Sequence, residues 1–127
     1  MDSYDPLNAP EAEEWLGLCE SLRLELISAF HAREDSGFPG IRLHCAIHLA
    51  VENQLAMKDE HAERALSRLS GGGLDRHEAV HAIGTVIAGH LYRLLKGGKA
   101  GDDEGPGGEY YDRLDNLTAE KWISGGN

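Results

Sequence analysis

The sequence predicts an all-α fold: about five helices in antiparallel hairpins around a single core, arranged as a helical bundle or a short stack of helix pairs. Three observations carry that expectation. Apolar residues recur at helical spacing, no segment alternates like a half-buried strand, and glycine- or proline-rich breakers divide the periodic stretches. With 127 residues the chain reads as a single helical domain, 1–127. A globule of that length buries about two-thirds of its unfolded surface and needs no covalent staples.

The first helix is expected over 10–34. Asn8 and Glu11 have capping-box spacing, Pro10 suits a first turn, and Trp15, Leu18, Cys19, Leu22, Leu26, Ala29 and Phe30 would share one apolar face. The breaker SGFPG at 36–40 stops it. A second helix over 41–57 carries IRLHCAIHLAVENQLAM. A shorter third, 59–70, turns Ala62, Leu66 and Leu69 inward before the glycines at 71–73. The fourth, 75–96, opens on Asp75 as N-cap with Glu78 three residues on, and two glycines end it. These helices make a main core over 1–98. Residues 99–108, KAGDDEGPGG, read as a flexible link, and 109–127 as a C-terminal helix docked through Tyr111, Leu114 and Trp122.

Charge and composition exclude several classes of function. The formal net charge of −10 argues against nucleic acid or an anionic membrane surface as partner, since both require a basic face. The N-terminal stretch is acidic without an apolar leader core, and no apolar run approaches the roughly 18 residues of a membrane span, so a cytoplasmic protein is expected. Cys19 and Cys45 lie within apolar helical patterns and read as small buried hydrophobes rather than as a disulfide or metal ligands. No glycine-rich phosphate loop follows a strand, and no nucleophile elbow is present.

The chemistry-bearing pattern is histidine. HCAIH at 44–48 and HEAVH at 77–81 are both H-x-A-aliphatic-H, set 33 residues apart. Positions i and i+4 project from one side of a helix, so His44 and His48 form one pair and His77 and His81 another. The first pair continues into Val51 and Leu55, the second into Gly84, Ala88, Leu91 and Leu95, so both stripes face the core. Gly84 and Ala88 are small enough to let a second helix approach. If the pairs meet, four imidazoles can close a tetrahedral site, with Glu52, one turn beyond His48, as a further ligand; zinc or iron is the candidate ion. The alternative is that the histidines are satisfied core residues of a non-catalytic interaction or assembly module, with a homodimer or a protein partner. His31, His61 and His90 read as structural or surface residues.

HEAVHAIG also contains the H-E-x-x-H of metallopeptidases. The longer metzincin pattern fails, because Ile87 stands where its third histidine belongs. A hemerythrin-like bundle is similar in having His31, His48-x-x-x-Glu52 and His77-x-x-x-His81 on successive helices. Its last-helix histidine is missing here.

The segments LHCAIHLAVENQLA and DRHEAVHAIG together resemble a family of small bacterial proteins catalogued as domain of unknown function 1841. The matching positions are Leu43, His44, His48, Leu49, Ala50 and Gln54 in one helix and His77, Ala79 and His81 in a later one, over about residues 38–96. The chain has FPGIR where that family favours Asn-Pro-Phe, and Ile83 and Gly84 where it favours an acidic residue. The resemblance implies a soluble bacterial helical protein and supplies no reaction.

Overall fold

Seven helices and no strand are present among the described residues, 1–34, 40–96 and 108–124 of the computed structural model. They are α1 (Ala12–Gly17), α2 (Glu20–Glu34), α3 (Ile41–Ala56), α4 (Glu60–Gly71), α5 (Arg76–Leu95), α6 (Gly108–Asp115) and α7 (Ala119–Ile123). α3 is central and packs against α1, α2, α4 and α5; α5 also packs on α4 and α6. Buried apolar residues form two groups beside α3. One joins Val51 and Leu55 to α4, α5, α6 and α7; the other joins Cys45 to Tyr4, Trp15 and Ile27.

Two expected helices are each broken in two, which raises the count from about five to seven. The first breaks at Leu18, whose extended ψ of 147° ends α1. Arg23 holds the break: its guanidinium donates to the carbonyls of Leu18 and Leu16 and to Asn53 Oδ1. These are carbonyls that a helix end leaves without a helical partner. The break resets the helical phase, so Ile27 is buried while Leu22, Cys19 and Ala29 are exposed, contrary to the apolar face expected from an unbroken helix. The cap also differs. Glu11 is the N-cap of α1, accepting from the Glu13 and Glu14 amides, while Asn8 is tied into a turn with Asp5.

The C-terminal helix breaks at Asn116–Leu117, and Thr118 caps α7. Arg68 of α4 donates to Leu117 O at 2.8 Å and Leu114 O at 2.7 Å, the same arginine-to-helix-end arrangement as at Arg23. Tyr110 is more deeply buried than the expected Tyr111, and the two hydroxyls donate to Gln54 and Asp59. The expected link at 99–108 lies, except for Gly108, outside the described residues. So does the breaker at 36–40, except for Gly40, whose φ of 75° begins α3.

The middle helices match their expected bounds within a residue or two. Asp59 and Asp75 cap α4 and α5 through the Ala62 and Glu78 amides. Both turns close by a six-to-one bond, Asp59 N to Gln54 O and Leu74 N to Leu69 O, which requires a left-handed residue. Gly73 supplies it at φ 106°, Lys58 at φ 63°. The α5 stripe leaves the core before its end: Leu91 is 43% and Leu95 85% exposed, because α5, at 20 residues, outruns the 16 of α3.

Gly84 fixes the α3–α5 distance. A Cβ there would stand 2.6 Å from Ile47 Cγ2, a branch next to the backbone that has little room to move. Gly84→Ala is therefore expected to lower unfolding stability by about 1–3 kcal/mol in a denaturant titration. Gly71→Ala, where a Cβ meets nothing within 4 Å, is expected to be near neutral in the same experiment.

Candidate metal centre

α2, α3 and α5 bring histidines to one place. His31 (α2), His44 and His48 (α3) and His81 (α5) each offer a nitrogen, and these nitrogens lie within 4.8 Å of one another. The pairs on α3 and α5 do meet: His48 Nε2 and His81 Nε2 are 2.9 Å apart, joining equivalent positions of the two H-x-A-aliphatic-H stretches. His77 is beside the group, with its ring 4.3 Å from that of His81 and 5.3 Å from that of His48. It is not among the four that converge.

His31, read from the sequence as structural or surface, is a full member of the group. It is 0% exposed, and its ring stands 4.6 Å from His48 and 4.8 Å from His44. It escaped the sequence reading because it has no i+4 histidine, and because the unbroken first helix gave the wrong phase for its neighbours. The other two expected outsiders stay outside. His61 bonds Asp115 at 2.9 Å and stacks on Tyr111, and His90 lies against Tyr110.

Hydrogen bonds assign the tautomers of the two buried rings. His31 Nδ1 is 2.8 Å from Ile27 O; a carbonyl only accepts, so Nδ1 carries the proton and Nε2 holds a lone pair. That Nε2 is buried with no hydrogen-bond partner. Tyr4 gives its one proton to Glu52 Oε2, so its oxygen accepts from His48 Nδ1 at 3.2 Å. His48 Nε2 therefore also presents a lone pair, facing His81.

Glu52 does not face the ring of nitrogens. It is 1% exposed and gripped by Arg76 in a two-pronged pair, with Oε1 2.7 Å from one guanidinium nitrogen and Oε2 2.8 Å from the other. Arg76 also donates to Pro6 O at 2.9 Å. Burial, and then the Glu52 carboxylate, push the Tyr4 phenol above its ordinary pKa, which keeps it a donor. The result is an ordered chain Arg76–Glu52–Tyr4–His48. Tyr4, from the segment before α1, carries no periodic or motif signal by which the sequence could have revealed it.

Burial pulls the His48 pKa down to about 2, with His31, His81 and His44 adding repulsion. Burial likewise takes His81 down to about 4, with His77 and His44 contributing. Both rings are thus neutral at pH 7, the form that binds a metal. A groove of about 470 Å³ opens onto the site. His44, His48 and His81 line it together with Leu43, Ile47, Val80, Ala88 and Trp122. His31 is not among its lining residues.

The peptidase reading has no support in this geometry. Glu78, the acid of HEAVH, accepts from Trp122 Nε1 at 3.1 Å. Cys45 is buried as expected, while Cys19 is exposed at the start of α2 and not a core residue.

The fold and site define a class: an all-helical chain in which four histidines from three helices lie close enough to hold a metal ion. No helix among the described residues is long and apolar enough to cross a membrane. No protein-family model, no curated protein and no solved structure matches this chain.

The lowered histidine pKa values have a definite sign in stability. Above pH about 6.5 both folded and unfolded rings are neutral and contribute nothing. Below it the unfolded chain takes up protons that folded His81 refuses until about pH 4 and folded His48 until about pH 2. Chelator-treated protein should therefore lose stability as pH falls from 6.5 toward 4, read as a falling Tm. A His48→Gln/His81→Gln variant should show a flatter profile over the same window.

Proposed function

We propose that this chain is a transition-metal-binding protein whose ligands are His31, His44, His48 and His81, and that the ion is zinc. The observation that carries the reading is His31 Nε2, a fully buried acceptor with no hydrogen-bond partner beside three other imidazoles. Leaving such a nitrogen unsatisfied costs about 1–3 kcal/mol, a cost that coordination removes. A second buried nitrogen, His48 Nε2, is turned the same way by Tyr4 and Glu52. In metal sites, outer hydrogen bonds of this kind orient the ring and raise its basicity.

Four neutral nitrogen donors suit tetrahedral zinc, with neighbouring nitrogens about 3.3–3.4 Å apart at Zn–N of about 2.0–2.1 Å. The four nitrogens lie within 4.8 Å of one another, and His48 Nε2 and His81 Nε2 are 2.9 Å apart. Iron sites of the bundle type draw on carboxylates, and the carboxylate expected here, Glu52, is committed to Arg76. Glu52 then serves the site through Tyr4 rather than as a ligand, and His77 packs beside it. Membership in the domain of unknown function 1841 family is part of the same proposal, since its pattern includes three of these four histidines.

The His48–His81 hydrogen bond supports a second reading, in which the cluster is packing within an interaction module. Elemental analysis of tag-free protein across a size-exclusion peak separates the two. Near-stoichiometric zinc is expected, lost in His31→Gln and in His44→Ala/His81→Ala and retained in His61→Ala. Tyr4→Phe, which keeps every ligand, should weaken zinc binding by about 10–100-fold. A folded wild type that takes up no zinc, iron or other transition metal, and whose Tm ignores both zinc and chelator, would falsify the proposal.

A further inference from the structure

Charge balance at the centre points beyond a closed structural ion. The proposed ligands are four neutral imidazoles, so a zinc ion among them keeps its whole double positive charge. The buried acid within reach, Glu52, is already neutralised by Arg76. Glu78, the acid that acts on His81, is turned to the Trp122 indole. A divalent charge in such apolar surroundings is costly unless an anion meets it.

The way in for that anion is the groove of about 470 Å³, a volume in the range of small-molecule sites. Three histidines of the group, His44, His48 and His81, line it. Among its remaining lining residues the polar groups are the Thr85 hydroxyl, which donates to His81 O at 3.0 Å, and the Trp122 indole N–H, which donates to Glu78 at 3.1 Å, so both are already committed. The walls, including Leu43, Ile47, Val80, Ala88 and Trp122, offer apolar surface and no charge. A ligand fitted to this shape carries a single anionic head for the metal and an apolar body for the walls.

We infer that the groove binds a small monocarboxylic acid with an aliphatic or aromatic body, its carboxylate coordinating the ion between His44 and His81. The carboxylate supplies a further oxygen ligand, and zinc accepts a fifth donor without a change of oxidation state. No bond is broken. This inference rests on the metal reading, and the experiment is chosen so that the two can fail separately.

Cobalt(II) replaces the metal, and its visible absorption bands report the ligands directly. The cobalt-loaded full chain is titrated with acetate, butyrate, hexanoate and benzoate in a non-coordinating buffer. The expected result is a band shift at saturation, with affinity rising about three- to fourfold for each added methylene. Ala88→Phe, which fills the groove, should bind cobalt but lose the chain-length dependence. Leu43→Ser, at a position 64% exposed and so safe for folding, should weaken hexanoate more than acetate. Cobalt bound at one per chain with bands indifferent to every acid overturns the inference and leaves the metal reading standing. Acid binding that ignores chain length overturns it too, as simple anion coordination. Failure to take up cobalt or zinc at all removes both.

Discussion

The interaction on which the rest of the site depends is the buried pair between Glu52 and Arg76. A carboxylate that is 1% exposed in the middle of the central helix would be strongly destabilising alone. It is tolerated because both oxygens accept strong hydrogen bonds: from two guanidinium nitrogens of Arg76 on α5 and from the Tyr4 hydroxyl of the N-terminal segment. The Arg76 nitrogen that bonds Pro6 O brings the same segment in again. The pair thus ties α3, α5 and residues 4–6 into one unit and fixes which His48 nitrogen carries a proton. Replacing one partner would leave an uncompensated charge in the core, so these residues stand or fall together.

Steric fit supplies the other half. Gly84 lets α5 come close enough to touch Ile47, and one turn away His81 then reaches His48. Burial among other imidazoles makes His48 and His81 harder to protonate, which keeps these two rings neutral. Packing, polarity and proton affinity therefore act in one direction at this place. Elsewhere the histidines follow ordinary surface behaviour, as His61 does with Asp115.

The fold class was legible because helical periodicity and capping are local: Asp59, Asp75 and the glycines after α4 carry their structural meaning within a few residues. The meeting of His48 and His81 was legible for a similar reason, since i,i+4 spacing and the small Gly84 mark a shared face. What escaped was set by side-chain bonds that helical periodicity does not encode, most of them non-local. Whether a long apolar pattern breaks at Leu18 or Asn116 depends on Arg23 and Arg68, whose targets lie at helix ends and are invisible to periodicity. The phase error that followed hid Ile27 and His31. Tyr4 and the Arg76 partner of Glu52 also escaped, because a hydrogen bond across 24, 44 or 48 residues leaves no mark in either neighbourhood.

The distribution of the four histidines over three helices has a topological consequence. His44 and His48 form a two-toothed grip on one rigid rod, so holding both costs little extra ordering. His31 and His81 arrive from different rods, and the latter is 33 residues from His48 along the chain. An ion held by all four closes loops in the chain as a disulfide does, and it narrows the unfolded ensemble in the same manner. It does so without cysteine chemistry and can be undone by a chelator or a proton. The helical frame would then carry a reversible cross-link.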